Sequence, residues 1–168
     1  MPIYARDLMN TSLLTVDPNA PLLQAHRLFL EEEINGAPVI DEDGKVCGVL
    51  SSLDLLRAVD DEYEGQPGAV EPFYFRSELP YSGPDWIHDV DDFQDRLGSL
   101  TVADAMVTVL VCVGLDATVE EIAHTMRNQH VHRVLVMEGK ILRGIISTFD
   151  LLQLFEQPET FREESASI

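Results

Sequence analysis

The chain repeats itself, and a duplication constrains a fold more tightly than composition does, because the same local chemistry must close the same unit twice. The stretch Ala5-Arg-Asp-Leu-Met-Asn-Thr11 runs parallel to Val102–Thr108, so that Asp7, Met9 and Thr11 match Asp104, Met106 and Thr108 at an offset of 97 residues. The offset persists through Ala20 and Ala117, then Val39 and Val136. A turn shorter by one residue reduces it to 96, pairing Gly48, Ser51, Asp54, Leu55 and Leu56 with Gly144, Ser147, Asp150, Leu151 and Leu152. Residues 1–59 hold the first repeat and 101–156 the second. Between them lies a distinct segment, 60–100, and after them a polar tail, 157–168, expected to fray.

Each repeat reads as strand, helix, strand, strand, helix. Short apolar runs (Leu13–Val16 and Val109–Val113) have the length and content of strands. A helix follows in each: Leu22, Ala25, Leu28 and Phe29, like Val119, Ile122 and Met126, recur at helical spacing and give one buried face. In the second repeat Thr118-Val-Glu-Glu121 has the pattern of a capping box, in which the hydroxyl and the carboxylate satisfy end N–H groups. Two further strands are expected in each repeat. Ala37–Ile40 and Val46–Leu50 join through Asp41-Glu-Asp-Gly44; Val134–Met137 and Ile141–Ile146 join through Glu138-Gly139. A closing helix starts near Ser52 or Thr148. Neither unit alone buries enough to be comfortable, so two packed together would share a core.

Charge narrows the partners. Thirty acids against 11 bases leave a formal net charge of −19, which repels phosphate backbones and anionic lipid surfaces. Neither nucleic acid nor a membrane is an expected partner. The longest unbroken apolar run, Val109–Val113, is far short of the ~20 residues that span a bilayer. With no signal-peptide pattern at the start, the cytoplasm is the expected compartment. The two cysteines, Cys47 and Cys112, sit in apolar runs without Cys-x-x-Cys spacing and read as small buried hydrophobes.

The closing phrases Gly48-Val-Leu-Ser-Ser-Leu-Asp54-Leu-Leu and Gly144-Ile-Ile-Ser-Thr-Phe-Asp150-Leu-Leu, the Asp-x-Met openings, and the strands Ala37-Pro-Val-Ile-Asp41 and Val134-Leu-Val-Met-Glu138 resemble the CBS-domain family (cystathionine beta-synthase-type domains) in its tandem arrangement. The resemblance covers about two-thirds of the chain. It implies an α+β fold, tandem β-α-β-β-α repeats packed as a pseudo-twofold CBS pair, the Bateman module. It further implies a regulatory role, with clefts between the repeats that take adenosine-containing ligands such as AMP, ADP, ATP or S-adenosylmethionine, and assembly as a homodimer. In those terms the base pocket falls to Leu14, Ala37 and Pro38 and to Val111, Val134 and Leu135.

The closing motif has a physical reading of its own. A helix N-terminus carries unpaired N–H groups and a partial positive charge, a seat for phosphate even in an acidic protein. Hydroxyls at Ser51, Ser52, Ser147 or Thr148 can add a donor to a phosphate oxygen. Asp54 or Asp150 can accept from both hydroxyls of a ribose. Gly48 and Gly144 keep side chains out of the space a flat base would need. Ser51-x-x-Asp54 and Ser147-x-x-Asp150 equally fit capping boxes that require no ligand. The two roles can share one helix end.

Arg133, before the second strand of repeat two, stands where family members often place a basic residue toward the ligand and can clamp a phosphate bidentately; a solvated surface charge is the other reading. Repeat one has Gly36 at that position, so the two sites are unequal. Arg143 reads first as an outward strand residue. His124, His130 and His132 do not converge at metal-ligand spacing, and no Cys or acid cluster completes a site, so no metal is expected. No cofactor is required, and no nucleophile–base–orienter set marks an enzyme.

Segment 60–100 carries more than half of the aromatic residues, including Phe73, Tyr74, Phe75, Tyr81, Trp86 and Phe93, with Ile87 among them. One reading is a clasp packed over the repeats; another is a surface or lid for a partner. Two functions follow. The first is a stand-alone sensor that binds an adenine nucleotide and signals, in trans or through oligomerisation, to an effector protein. The second is a ligand-free scaffold that recruits its partner through this segment.

Overall fold

The computed structural model describes residues 2–60, 73–75 and 90–156; the expectations for Tyr81, Trp86, Ile87 and the tail from Gln157 lie outside them. The chain divides into two compact units that cut across the repeats. One runs over Leu14–Leu110, and the other joins Met1–Leu13 to Val111–Ile168. The opening segment of each repeat thus folds with the strands of the other.

The 14–110 unit is built on an antiparallel pair, β1 (Gly36–Ile40) and β2 (Val46–Ser51). Gly44, in the left-handed region, closes the turn between them, and Asp41 Oδ1 accepts from the Asp43 and Lys45 amides at 3.0 and 2.9 Å. The unit's helices are α2 (Leu22–Glu31), α3 (Ser52–Val59), α4 (Val90–Ser99) and α5 (Val102–Ala105); α1 (Ala5–Leu8) belongs to the other unit. Leu22, Ala25 and Phe29 of α2 meet Val39, Leu50, Leu55, Leu97 and Val102 in one buried cluster. The expected periodicity of α2 is therefore its core face.

The strand expected at Leu13–Val16 shrinks to a single parallel bridge, Val16 to Val39. Val16 N–H donates to the Pro38 carbonyl and Ile40 N–H to the Val16 carbonyl, both at 3.0 Å. The next rung would need an amide proton from residue 38, and proline has none. The duplicate position is Leu135, whose amide donates to Val111 O at 3.0 Å. There the ladder continues. In the second unit β3 (Cys112–Gly114) pairs parallel with β4 (Arg133–Glu138), which pairs antiparallel with β5 (Ile141–Ser147). The strand forms three residues later than the apolar run Val109–Val113 begins, which leaves Val109 and Cys112 exposed. Cys47 is half-buried, so neither cysteine is the fully buried hydrophobe its sequence context implies.

The second unit adds α6 (Val119–Gln129) and α7 (Thr148–Glu156). The Thr118–Glu121 box forms as expected: Thr118 N–H donates to Glu121 Oε2 at 2.8 Å and Glu121 N–H to Thr118 Oγ1 at 3.3 Å. Three helices are absent from the sequence-based reading: the single turns α1 and α5, which the Asp-x-Met openings form, and α4. The α4 helix packs on α2 and α3, with Leu97 fully buried and the Phe93 ring edge-on to His26 at 5.6 Å. In its described part, the inter-repeat segment is a clasp on the first repeat.

Candidate functional site

The duplicated motifs cap helices four times over. Asp7 and Asp104, the acids of the two openings, take the N3 position of α1 and α5. Tyr4 N–H donates to Asp7 Oδ2 at 2.9 Å, and Thr101 N–H and Oγ1 donate to Asp104 Oδ2 at 2.8 and 2.9 Å. These two bonds hold the Asp104 carboxyl below its ordinary pKa, because they favour the charged form. The methionines that follow explain the motif glycines. A Cβ at Gly144 would lie 2.6 Å from Met9 Cβ, and one at Gly48 would lie 3.0 Å from Met106 Sδ and 2.9 Å from the Val107 carbonyl. The space these glycines leave holds the methionine of the other repeat's opening segment rather than a flat base.

Both closing motifs form the capping box. Ser51 N–H and Oγ donate to Asp54 Oδ2 at 2.8 and 2.7 Å, and Asp54 N–H donates back to Ser51 Oγ at 3.4 Å. Ser147 and Asp150 repeat the pattern at 2.6, 2.7 and 3.4 Å. The next amide is also engaged in each case: Ser52 N–H donates to Asn35 O and Thr148 N–H to His132 O, both at 2.9 Å. Several of the donors that a phosphate would use are thus already paired with the chain itself.

What separates the two helix ends is cover. Asp54 is only 4 % exposed. Burial raises its pKa, against the opposing pull of the Ser51 bonds and of Arg57, whose Nη1 lies 3.9 Å from Asp54 Oδ1. The Ser52 hydroxyl donates to Asn35 O at 3.4 Å. Asp150 and Thr148 are half-exposed, and among the described residues neither Asp150 Oδ1 nor the Thr148 hydroxyl makes a hydrogen bond. Arg133 stands directly opposite Ser147 in the β4–β5 register. This brings Arg133, Ser147, Thr148 and Asp150 to one end of one sheet: a cation, two hydroxyls and a carboxylate with an open oxygen.

In repeat one the same register position is Gly36, opposite Ser51. A side chain of the inter-repeat segment takes the place an arginine would occupy. A Cβ on Gly36 would come within 2.9 Å of the Tyr74 ring and 2.5 Å of the Leu50 carbonyl. The contact that sequence reasoning did not place is that of Tyr74 with Gly36. Its signal in the sequence is the pairing of a glycine where the duplicate has arginine with an aromatic triplet, Phe73-Tyr74-Phe75, after the repeat.

The base-pocket candidates fall into one set per repeat, and in the second the Leu135 amide donates to Val111 O at 3.0 Å. Ala37 lies in the core cluster of its unit, while Pro38, one residue on, points to the opposite face of the sheet. Leu14 is exposed, and Val111, Val134 and Leu135 are buried. Arg143 is exposed and paired with Glu138, its Nε donating to Oε2 at 2.7 Å. The histidines serve locally. His124 Nε2 bonds the Asn128 amide at 2.8 Å, and His130 ends α6 in the left-handed conformation. Among the described residues no group of His, Cys, Asp and Glu could hold a metal ion, and no helix is long and apolar enough to cross a membrane. Two grooves open in the 14–110 unit, of about 740 and 450 Å³. The smaller reaches Ser52 and Asn35; neither reaches Asp54.

Comparison with known proteins supplies the family. The family model of the CBS domain matches residues 5–61 and 102–157. The protein MJ1426 of Methanocaldococcus jannaschii is 26 % identical over 151 residues, spanning 88 % of each chain. The CBS domain of a CBS domain-containing membrane protein from Sphaerobacter thermophilus has the same fold, with a TM-score of 0.67 at 25 % identity over 91 % of this chain and 88 % of that one. CBSX2, solved in complex with AMP, gives a TM-score of 0.64 at 20 % identity, over 93 % and 98 % of the two chains. With an α+β fold built from two copies of a matched domain that together span more than half of its length, this chain belongs to the CBS-domain family.

Proposed function

We propose that this protein is a regulatory module that binds an adenine nucleotide at the β5–α7 end of its second repeat and passes the occupancy to an effector protein. One observation carries the reading. Arg133 stands across the ladder from Ser147, where α7 begins, and Thr148 and Asp150 follow with a hydroxyl and a carboxylate oxygen that are unbonded among the described residues. Arg133 supplies the bidentate donors for a phosphate, α7 the partial positive charge behind it, and Asp150 Oδ1 an acceptor for a ribose hydroxyl. The ranking AMP, ADP and ATP over S-adenosylmethionine follows from Arg133, since a guanidinium favours a phosphate and repels a sulfonium. The AMP complex of CBSX2, a protein of the same fold, supports that ligand class.

The function is regulation rather than catalysis. The polar groups at α7 are donors and acceptors suited to holding a ligand, and a ligand shifts a conformational equilibrium only by its difference in affinity for the two states. The acting form is a homodimer, joined through an apolar strip on α7.

Thermal unfolding with AMP, ADP, ATP, S-adenosylmethionine and GTP, each against a salt-matched blank, tests the reading. A ligand at a hundredfold its Kd stabilises by about 2.7 kcal/mol, a rise of roughly 5 °C for a chain of this size. One adenosine ligand is expected to give that rise and Asp150→Ala to remove it. Midpoints that follow the blank for every nucleotide would sink the proposal and favour a ligand-free scaffold.

A further inference from the structure

The two repeats carry the same closing motif, make the same capping box and differ in what lies over it. At the second repeat's helix end Ser147 and Asp150 are half-exposed. At the first, Ser51 and Asp54 are 3 % and 4 % exposed. The described part of the inter-repeat segment packs on the first repeat, on β2 as well as on α2 and α3. Phe73–Phe75 forms a short 3₁₀ turn packed on β2, with Tyr74 4 % and Phe75 0 % exposed and their rings edge-to-face at 5.1 Å. The Tyr74 ring sits against Gly36, directly across the ladder from Ser51. Gly36 is what admits the ring, since any side chain there would meet both Tyr74 and the Leu50 carbonyl.

We propose that the Phe73–Phe75 turn is a built-in occupant of the first repeat's helix-end site, so that the chain takes one ligand, at the second repeat. The proposal rests on the nucleotide-binding reading for its ligand, but the occupancy itself is a property of this chain. The aromatic pair fills the place beside Ser51 that the arginine of the duplicate would command, and with the turn docked Asp54 is 4 % exposed. Gly36 and Tyr74 are complementary partners: one gives up the phosphate-binding cation, the other uses the room.

Two measurements on the full chain decide it. Hydroxyl-radical footprinting of the wild type compares Tyr74 and Phe75 in the folded chain with the same two residues in the urea-unfolded chain, which serves as the reference. Tyr74 and Phe75 are expected to react at least ~10-fold more slowly, as for side chains uncovered only by local opening; reaction at the reference rate overturns the occupancy. Calorimetric titration with AMP and with ATP is expected to give one site per chain, abolished by Asp150→Ala and retained in a folded Asp54→Ala. Two sites in the wild type, binding that survives Asp150→Ala, or binding lost in a folded Asp54→Ala overturns the proposal. If no nucleotide binds yet Tyr74 and Phe75 stay protected, the sensing function fails and the occupancy stands, so the two failures are told apart.

Discussion

At the scale of the residue, two aspartates of one sequence pattern titrate in opposite directions. Asp54 and Asp104 each sit at N3 of a helix and each accept from the N-cap amide and hydroxyl. Asp104 lies in water, so the bonds dominate and its pKa falls; Asp54 is buried, so desolvation dominates and its pKa rises. For Asp54 the folded value lies above the unfolded one. The folded chain therefore keeps a proton that the unfolded chain releases, and stability declines as pH rises through that window. For Asp104 stability is present above the unfolded value and is lost as pH falls through the folded one. Urea unfolding of the wild type, Asp54→Asn and Asp104→Asn from neutral to about pH 2.5, below the ordinary aspartate value, isolates each group. The wild-type advantage over Asp54→Asn is expected to grow with acidification and that over Asp104→Asn to shrink; two parallel trends would refute the assignment. The sequence shows both boxes, since Ser-x-x-Asp and Thr-x-x-Asp are local patterns. Burial is not local, and the inversion is invisible without the fold.

At the scale of the element, α3 and α7 begin on the same motif and end in different environments. The α3 helix buries Leu53, Leu55 and Val59, because α4 and α5 pack on it, whereas α7 has no buried residue and exposes Phe149, Leu152 and Phe155. Those three, at i, i+3 and i+6, form an apolar strip on one side of the helix, and such a strip on a small protein marks an interface. A second copy is the proposed occupant, and Phe155→Glu, more than a helical turn beyond Asp150, is expected to shift the protein from dimer to monomer in sedimentation at micromolar concentration. A monomeric wild type would remove this assignment. The closing helices are legible in sequence from their caps and paired leucines. The α4 helix is not, because its Val90–Ser99 stretch is acidic and follows proline-rich, aromatic sequence that reads as loop; its helicity is stabilised by Leu97 and Phe93 packing on α2 and α3 rather than by propensity.

At the scale of the whole molecule, the repeat is not the unit that folds. Val49 and Val107 exchange two backbone hydrogen bonds of 2.9 Å, Leu22 N–H donates to Leu100 O, and Val102 N–H donates to Ala20 O, both at 2.9 Å. The first repeat's sheet and α2 are thus completed by residues almost fifty positions beyond its end. A fragment of residues 14–110 is expected to unfold cooperatively in urea, and one of residues 1–59 to show no cooperative transition by circular dichroism; a cooperative 1–59 would refute the exchange. The duplication, the order of the closing strands and helices, the helix caps and the unequal positions Gly36 and Arg133 all lie in the sequence, because each is written in local spacing or in a comparison of matched positions. Only the tertiary structure decided three further things: that Met9 and Met106 fill the room left by Gly144 and Gly48, that Pro38 ends a ladder which Leu135 continues, and that Tyr74 lies beside Ser51. Each depends on which distant backbone arrives at a given edge, and period and propensity carry no information about that arrival.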